Sequence, residues 1–241
     1  MPVLTTTQVV NDDNAELTVS RQGGNEAAVF LTYIINNYYN LPDYMVFLHA
    51  ERYQWHNDDP MYDGIPAVKH LQLPHVKKVG YASLRCTWTP GCPDEIFPAQ
   101  GTDDQRPDPF GIRHAYTEAF GQFFPDVELP EVVAAPCCAQ FAVSRDQVRK
   151  RPIVQFERVR QWLWETTLAP AVSGRVMEYL WHILFSMDAV SCPKTEQCFC
   201  ERFGYCDLDC PDDGFCEGRY WFTPFFATFP PGWPFNGQGT K

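Results

Sequence analysis

The sequence predicts one α/β domain, a mixed sheet flanked by about five helices, with a cysteine-rich tail at its C-terminal end. Three observations carry this. An amphipathic helical segment runs directly into a short, almost wholly apolar stretch, the order expected of a helix packed on a buried strand. Helical periodicity then alternates with short β-branched and aromatic runs as far as Ser186. Beyond it the composition changes, with Cys192, Cys198, Cys200, Cys206, Cys210 and Cys216 set among Pro, Gly and Asp. The chain divides accordingly into an irregular segment over 1–20, the α/β core over 21–190 and the tail over 191–241.

Each element has its own signal. From Asn25 to Tyr39, Ala27, Ala28, Leu31, Ile34, Ile35 and Tyr38 recur at helical spacing, after Gly23-Gly24 and before Leu41-Pro42. Tyr44 to His49 is the buried strand. Pro66 to Lys78 reads as a helix broken at Pro74, and Tyr81 to Trp88 as a strand ending at the Pro90-Gly91 turn. Pro98 to Gly111 is a loop and Arg113 to Phe124 a helix. Glu131 to Ala135 and Gln140 to Val143 read as short strands. Ser144 is placed to cap a helix, with Gln147 closing a capping box. Pro152 opens a helix reaching about Thr167, and Ser173 caps the last one, where Val176, Leu180, Ile183 and Leu184 form one stripe.

Charge and cysteine usage exclude several classes. The chain has 241 residues, and 19 Lys and Arg against 30 Asp and Glu leave a net charge of −11. Without a basic cluster, neither nucleic acid nor an anionic membrane surface is an expected partner. Runs such as Tyr44 to Leu48 are far short of the ~20 apolar residues of a transmembrane span. The ten cysteines are even in number and lack paired C-x-x-C knuckles, which favours disulfides over zinc. Disulfides point to the secretory pathway or the extracellular space, whereas Met1 to Asp13 lacks the pattern of a secretory signal. Neither Cys137 nor Cys138 has the setting of a catalytic nucleophile.

The densest set of ligand-capable side chains follows the buried strand: His49, Glu51, His56, Asp58, Asp59 and Asp63. Functional groups collect at the carboxyl ends of strands in open α/β sheets. His49 and Glu51, two apart on extended backbone, point the same way and can share one divalent cation or one substrate hydroxyl. The competing reading makes His49 a hydrogen-bonded core histidine and Asp58-Asp59 a turn before Pro60. On the last predicted helix, Glu178 and His182 are four apart and share a face, with Arg175 one turn below to pair with Glu178. The expected catalytic pair is His49 and Glu178. The expected metal set is His49, Glu51, His56 and His182, and the expected substrate contacts are Trp55, Asp58, Asp59 and Arg175. Trp162, Trp164 and Trp181 read as core or pocket wall. No G-x-S-x-G, Walker, G-x-G-x-x-G or H-E-x-x-H pattern is present, which removes hydrolases, kinases and dehydrogenases of those types.

Several stretches together resemble a fungal family of unknown function, domain-of-unknown-function family 3431. They are Gly24-Asn25-Glu26-Ala27, Leu31-Thr32-Tyr33-Ile34-Ile35-Asn36-Asn37-Tyr38, Leu41-Pro42-Asp43 and Val46-Phe47-Leu48-His49. Trp55-His56-Asn57-Asp58-Asp59-Pro60, Leu84-Arg85-Cys86, the run from Cys137 to Ser144, and Ser173-Gly174-Arg175 with Glu178 and Trp181-His182 continue the resemblance. The family is distantly similar to nucleotide-sugar glycosyltransferases of the A-type fold, in which a D-x-D motif after a buried strand holds a divalent metal and a late helix carries the base. The resemblance implies a truncated form of that fold. His49-Ala50-Glu51 would stand at the D-x-D position, Glu178 at the base and His182 at a late ligand.

The leading expectation is therefore a fungal transferase-like tailoring enzyme of specialised metabolism or glycan decoration, acting on a small-molecule or sugar substrate, with a divalent metal as its cofactor. A second is a cyclase or isomerase that moves protons on an apolar metabolite, for which seven Trp and 18 Phe would supply a pocket. A third is a secreted, disulfide-stapled binding or structural protein without catalysis.

Overall fold

A computed structural model describes residues 18–98 and 112–219. Most of the N-terminal segment, the loop expected at Pro98 to Gly111 and the end of the tail lie outside the described residues.

The first helix, α1 (Ala27–Asn36), buries Ala27, Ala28, Phe30, Leu31, Ile34 and Ile35, the face its spacing predicts. It leads to β1 (Tyr44–Phe47), α2 (Ile65–His70), α3 (Leu73–Val79), β2 (Tyr81–Ser83), α4 (Ile112–Phe123) and β3 (Phe141–Ser144). Then follow α5 (Arg145–Val148), α6 (Ile153–Glu165), α7 (Pro170–Glu178), α8 (Trp181–Leu184) and α9 (Thr195–Phe203). The strands form one sheet in the order β1-β3-β2, with Phe47 opposite Phe141 and Ala82 opposite Ala142. The expected α/β domain is present, with its sheet antiparallel throughout. Parallel pairing occurs among the described residues as the bridge between Ala134 and Val190.

Central β3 is buried on both faces, and its alternation divides the core. Phe141 and Val143 join Phe30, Phe47, Trp181 and Phe185 on one side. Ring centroids there lie 5.0 Å apart for Phe30 and Phe47 and 5.2 Å for Phe141 and Trp181. Ala142 faces the other way, into a smaller cluster with Ala82, Leu84, Cys198, Phe199 and Phe203.

Several expected boundaries move for identifiable reasons. The break between α2 and α3 falls at Leu71-Gln72, and Pro74 sits in the first turn of α3, where its missing N–H is not needed. β2 ends at Ser83 because the amides of Cys86 and Thr87 donate to the Asp58 carboxylate rather than to a strand. Glu131 to Ala135 makes only isolated bridges, from Val133 to Ile96 and from Ala134 to Val190. Ser144 caps α5 by accepting from the Gln147 amide, but the Gln147 side chain donates to Phe185 O instead of closing the box. Ser173 is not a cap. It lies inside α7, which starts at Pro170, and the expected stripe runs over two helices because the backbone turns at Tyr179-Leu180. Trp162 packs against Phe123, Trp164 donates to Arg21 O, and Trp181 is fully buried.

The tail is not wholly irregular: α9 turns Cys198, Phe199 and Phe203 into the smaller cluster, three buried side chains that substitute for aliphatic ones. All ten cysteines are paired. Cys86–Cys198 and Cys92–Cys192 tie the tail to the core, Cys200–Cys206 and Cys210–Cys216 close small loops, and Cys137–Cys138 joins neighbours. Among the described residues no helix is long and apolar enough to cross a membrane.

Candidate active site

His49 stands two residues beyond β1, and a chain of amides holds it. Its N–H donates to Gln140 Oε1 at 3.1 Å, Gln140 Nε2 donates to Asn57 Oδ1 at 3.0 Å, and Asn57 Nδ2 donates to Arg52 O and Tyr62 O. Gln140 immediately precedes β3, so the sheet carries both His49 and the loop after it. Within that loop, Gln54 Nε2 donates to Glu51 O, which turns Gln54 Oε1 toward both imidazoles. That oxygen lies 3.2 Å from His49 Nδ1 and 2.9 Å from His56 Nδ1. A carbonyl oxygen only accepts, so both rings carry a proton on Nδ1 and their chemistry is left to Nε2. The rings meet edge to face with centroids 4.8 Å apart, and the Trp55 ring lies 4.0 Å from that of His56.

Two carboxylates reach this pair from opposite ends of the chain. Glu26, at the start of α1, places Oε1 3.7 Å from His49 Nε2. Glu178 ends α7, where Arg175 Nη1 holds its Oε2 at 3.0 Å while Nη2 holds Glu95 at 2.7 Å. A glycine brings them together. A Cβ on Gly174 would lie 2.5 Å from Asn25 Nδ2 and 3.4 Å from Gly24 C, so α7 packs closely on the left-handed turn at Gly24 and Asn25, and a side chain at Gly174 would displace the Asn25 amide. Glu178, one turn further along the same face, is thereby brought near Glu26 and His49.

The surroundings drive the two imidazoles apart. Burial pulls the His49 pKa down, but Glu26, Gln54 and Glu178 outweigh it, so the net shift is upward. Burial, then the neighbouring His49, Arg85 and Arg175, lower His56 to about 3. Burial raises the Glu178 carboxyl, with Glu26 adding to it and Arg175, His49 and the Cys138 N–H opposing. The two rings are thus shifted in opposite directions, upward for the one whose Nε2 faces a carboxylate and downward for its neighbour, the kind of separation that assigns acid and base roles. Side chains of His49, Glu26 and Glu178 are 14%, 21% and 18% exposed, but His49 Nε2 itself is buried and has no hydrogen-bond partner.

A sequence profile of one protein family matches residues 3–201, a span holding every residue of this cluster. The chain belongs to the family of proteins of unknown function DUF3431. No curated protein and no solved structure matches it.

Of the residues singled out in the sequence, this DUF3431 chain brings together His49, His56, Trp55, Arg175 and Glu178. It does not bring together the expected metal set. Glu51 is exposed and engages Gln54 through its backbone, and His182 is fully buried with Nε2 donating to Ala189 O at 2.9 Å. Burial holds the His182 ring down at about 4. Because the helix ends at Glu178, His182 belongs to α8 and the four-residue spacing no longer sets a common face. Among the described residues no three His, Cys, Asp or Glu side chains converge as a metal set. Asp58 is committed to Cys86 and Thr87, Asp59 to the amides of Met61 and Asp63, and Asp63 to Arg52. Sequence reasoning missed Glu26, Gln54 and Glu95 as members of the site. The Gly-Gly-Asn-Glu run was the available signal for Glu26; Gln54 and Glu95 carried none.

Proposed function

We propose that this chain is an acid–base enzyme of transferase type, tailoring a hydroxylated small molecule or glycan in fungal specialised metabolism or glycan decoration. The Glu178 carboxylate takes the proton of an acceptor hydroxyl, and the oxygen attacks the donor as the bond to the leaving group breaks. His49 Nε2–H gives its proton to that leaving group. Glu26 keeps His49 protonated before the step, and Gln54 fixes which nitrogen donates. No step is routed through a metal, because the expected ligands do not converge. The observation that carries the reading is the placing of His49 Nε2 3.7 Å from Glu26, with Glu26 and Glu178 both raising its pKa. Pairing of all ten cysteines supports an oxidising compartment. A cyclase would need an aromatic-lined hollow, whereas Phe30, Phe47, Phe141, Trp181 and Phe185 turn their faces to one another.

The test is complementation of a strain lacking the gene, read by untargeted metabolite profiling. Wild type restores a missing product; His49→Asn and Glu178→Gln do not, although both fold, as a cooperative thermal transition well above the growth temperature shows. Restoration by both variants would refute acid–base catalysis at this site and leave a binding or structural protein.

A further inference from the structure

His49 follows the end of β1; at the opposite end of the sheet Tyr44 starts β1 beside Ser144, the last residue of β3, and a hollow of about 400 Å³ opens there. Gly80, Ser144 and Gln147 are its buried floor, and Lys77, Lys78, Arg145 and Lys150 line it nearer the surface. Three of the six lysines of a chain with net charge −11 therefore share one hollow. The fold assembles them from two distant segments, Lys77 and Lys78 in the last turn of α3 and Lys150 two residues past α5. Arg145 is paired with Asp43 at 2.7 Å, and Asp146 is a further carboxylate beside it. Lys77, Lys78 and Lys150 have no ion-pair partner among the described residues. The α3 dipole accounts for lysines in its last turn, but not for Lys150 lining the same hollow. Beneath them Ser144 is 9% exposed; its Oγ accepts from the Gln147 N–H at 3.2 Å, and its own proton goes to no acceptor among the described residues. The walls are tied together: Ser144 N–H donates to Gly80 O at 2.8 Å and Arg145 N–H to Asp43 O at 3.0 Å. Gly80, with φ of 82°, makes the turn from α3 into β2 that brings the lysines to Ser144.

We propose that this hollow binds a soluble phosphorylated small molecule, its phosphate held by Lys77, Lys78 and Lys150 with the Ser144 hydroxyl donating to it, and its body against Tyr44 and Val79. Cations gathered around a concave surface focus their field inside it and attract an anion. A phosphate monoester offers several acceptor oxygens and close to two negative charges, which suits three ammonium groups and one hydroxyl better than a single carboxylate does. The volume is that of a site for a small organic molecule rather than for a bare ion. A nucleic acid or an anionic bilayer would bring its other phosphates against the rest of an acidic surface, so the small ligand is the one the charge favours. The hollow is distinct from the His49–Glu178 pair, and the proposal stands with or without the acid–base reading.

Phenyl phosphate, added to the full chain at ~0.15 M salt, where charges beyond about 8 Å are screened, is the probe. Calorimetry reads its affinity, and nitrogen-15 nuclear magnetic resonance locates it. In the wild type the Gly80, Ser144 and Gln147 amides should shift together and saturate, and phenol, without the phosphate, should leave them unmoved. Lys77→Gln/Lys150→Gln should weaken binding about tenfold, the scale of two exposed charge contacts. Lys69→Gln/Lys194→Gln makes the same change in net charge outside the hollow and should leave affinity within about twofold of wild type. All four lysines are exposed, so both variants should fold, and the wild-type amide shifts decide should either fail to. The proposal is overturned if phenyl phosphate does not bind, if the shifted amides lie elsewhere, or if the two lysine pairs weaken binding equally. Vesicles of phosphatidylcholine with phosphatidic acid distinguish a lipid headgroup from a soluble ligand: attachment to them that phenyl phosphate does not displace would also overturn it.

Discussion

Asp58 offers the sharpest separation of a structural carboxylate from a ligand-binding one. It is 7% exposed, and its Oδ2 accepts from the Cys86 and Thr87 amides at 2.6 and 2.8 Å while Oδ1 accepts from Thr87 Oγ1 at 2.9 Å. Hydrogen bonds to an ionised group contribute about 1.5–3 kcal/mol, and each buried donor left without a partner costs about 1–3 kcal/mol. Asp58→Ala strands two backbone amides and a hydroxyl together, so allowing for partial relaxation it should cost about 4 kcal/mol. Asp58→Asn keeps an oxygen for the amides and turns its Nδ2 to Thr87 Oγ1, which can accept. Only charge assistance is lost, about 1–2 kcal/mol. With a urea slope of about 2 kcal/mol per molar, the unfolding midpoints should fall by about 2 M and by about 0.5–1 M. Tryptophan fluorescence with the disulfides intact reads both. The reasoning fails if the alanine variant unfolds within about 0.5 M of wild type, or if asparagine costs as much as alanine. In the proposed reaction Asp58→Asn should leave product formation intact, opposite to the substrate contact its position in the sequence suggests.

Two further outcomes follow from burial and connectivity. His182 and His56 titrate at about 4 and about 3 when folded. Since the unfolded chain takes up their protons near pH 6.5, stability should fall as pH drops from 6.5 toward those values and be insensitive to them above it. His49, shifted the other way, adds stability at acid pH that is lost as pH rises through its folded value. His182→Gln should remove on the order of 3 kcal/mol of the acid-side loss, seen by comparing urea midpoints at pH 7 and pH 4, and an unchanged difference would contradict the assignment. The disulfides should rank by the loop each closes. Because Cys92–Cys192 still closes the long loop, replacing Cys86–Cys198 by an alanine pair releases only a loop of about 13 residues and should cost about 3 kcal/mol, against about 2 kcal/mol for Cys200–Cys206, with its separation of 6. The reverse order of melting temperatures would contradict loop closure as the cause.

The elements legible in the sequence were those whose burial is periodic. The α1 face from Ala27 to Ile35 lies where its spacing puts it, although the helix ends at Asn36, three residues before the expected Tyr39 and short of Tyr38; α4 and α6 lie within a residue or two of the spans their patterns give. What failed was local pattern overridden by distant partners. Tyr81 to Trp88 has strand composition throughout, yet Asp58, almost thirty positions earlier, captures the amides that would extend it. Gln147 stands where a capping box needs it, yet its side chain reaches Phe185. The tail looked irregular because its apolar face is built from Phe and disulfide-bonded Cys, with no aliphatic stripe to reveal α9.

The site was half legible for a related reason. Residue type and position after β1 were enough to mark His49 and His56, but the property that distinguishes them is absent from the sequence. Both rings give the same nitrogen to the same oxygen of Gln54, so their hydrogen bonds cannot separate them. The difference lies in what surrounds them: Glu26 beside the Nε2 of His49, and Arg85, Arg175 and a charged His49 around His56. Glu26 is brought there by a left-handed Gly24-Asn25 turn that docks against the missing side chain of Gly174, 150 positions away. A glycine, ordinarily read as a helix weakener, is therefore where α7 and the turn before α1 pack most closely, and Glu26 and Glu178, which both raise the His49 pKa, flank that contact.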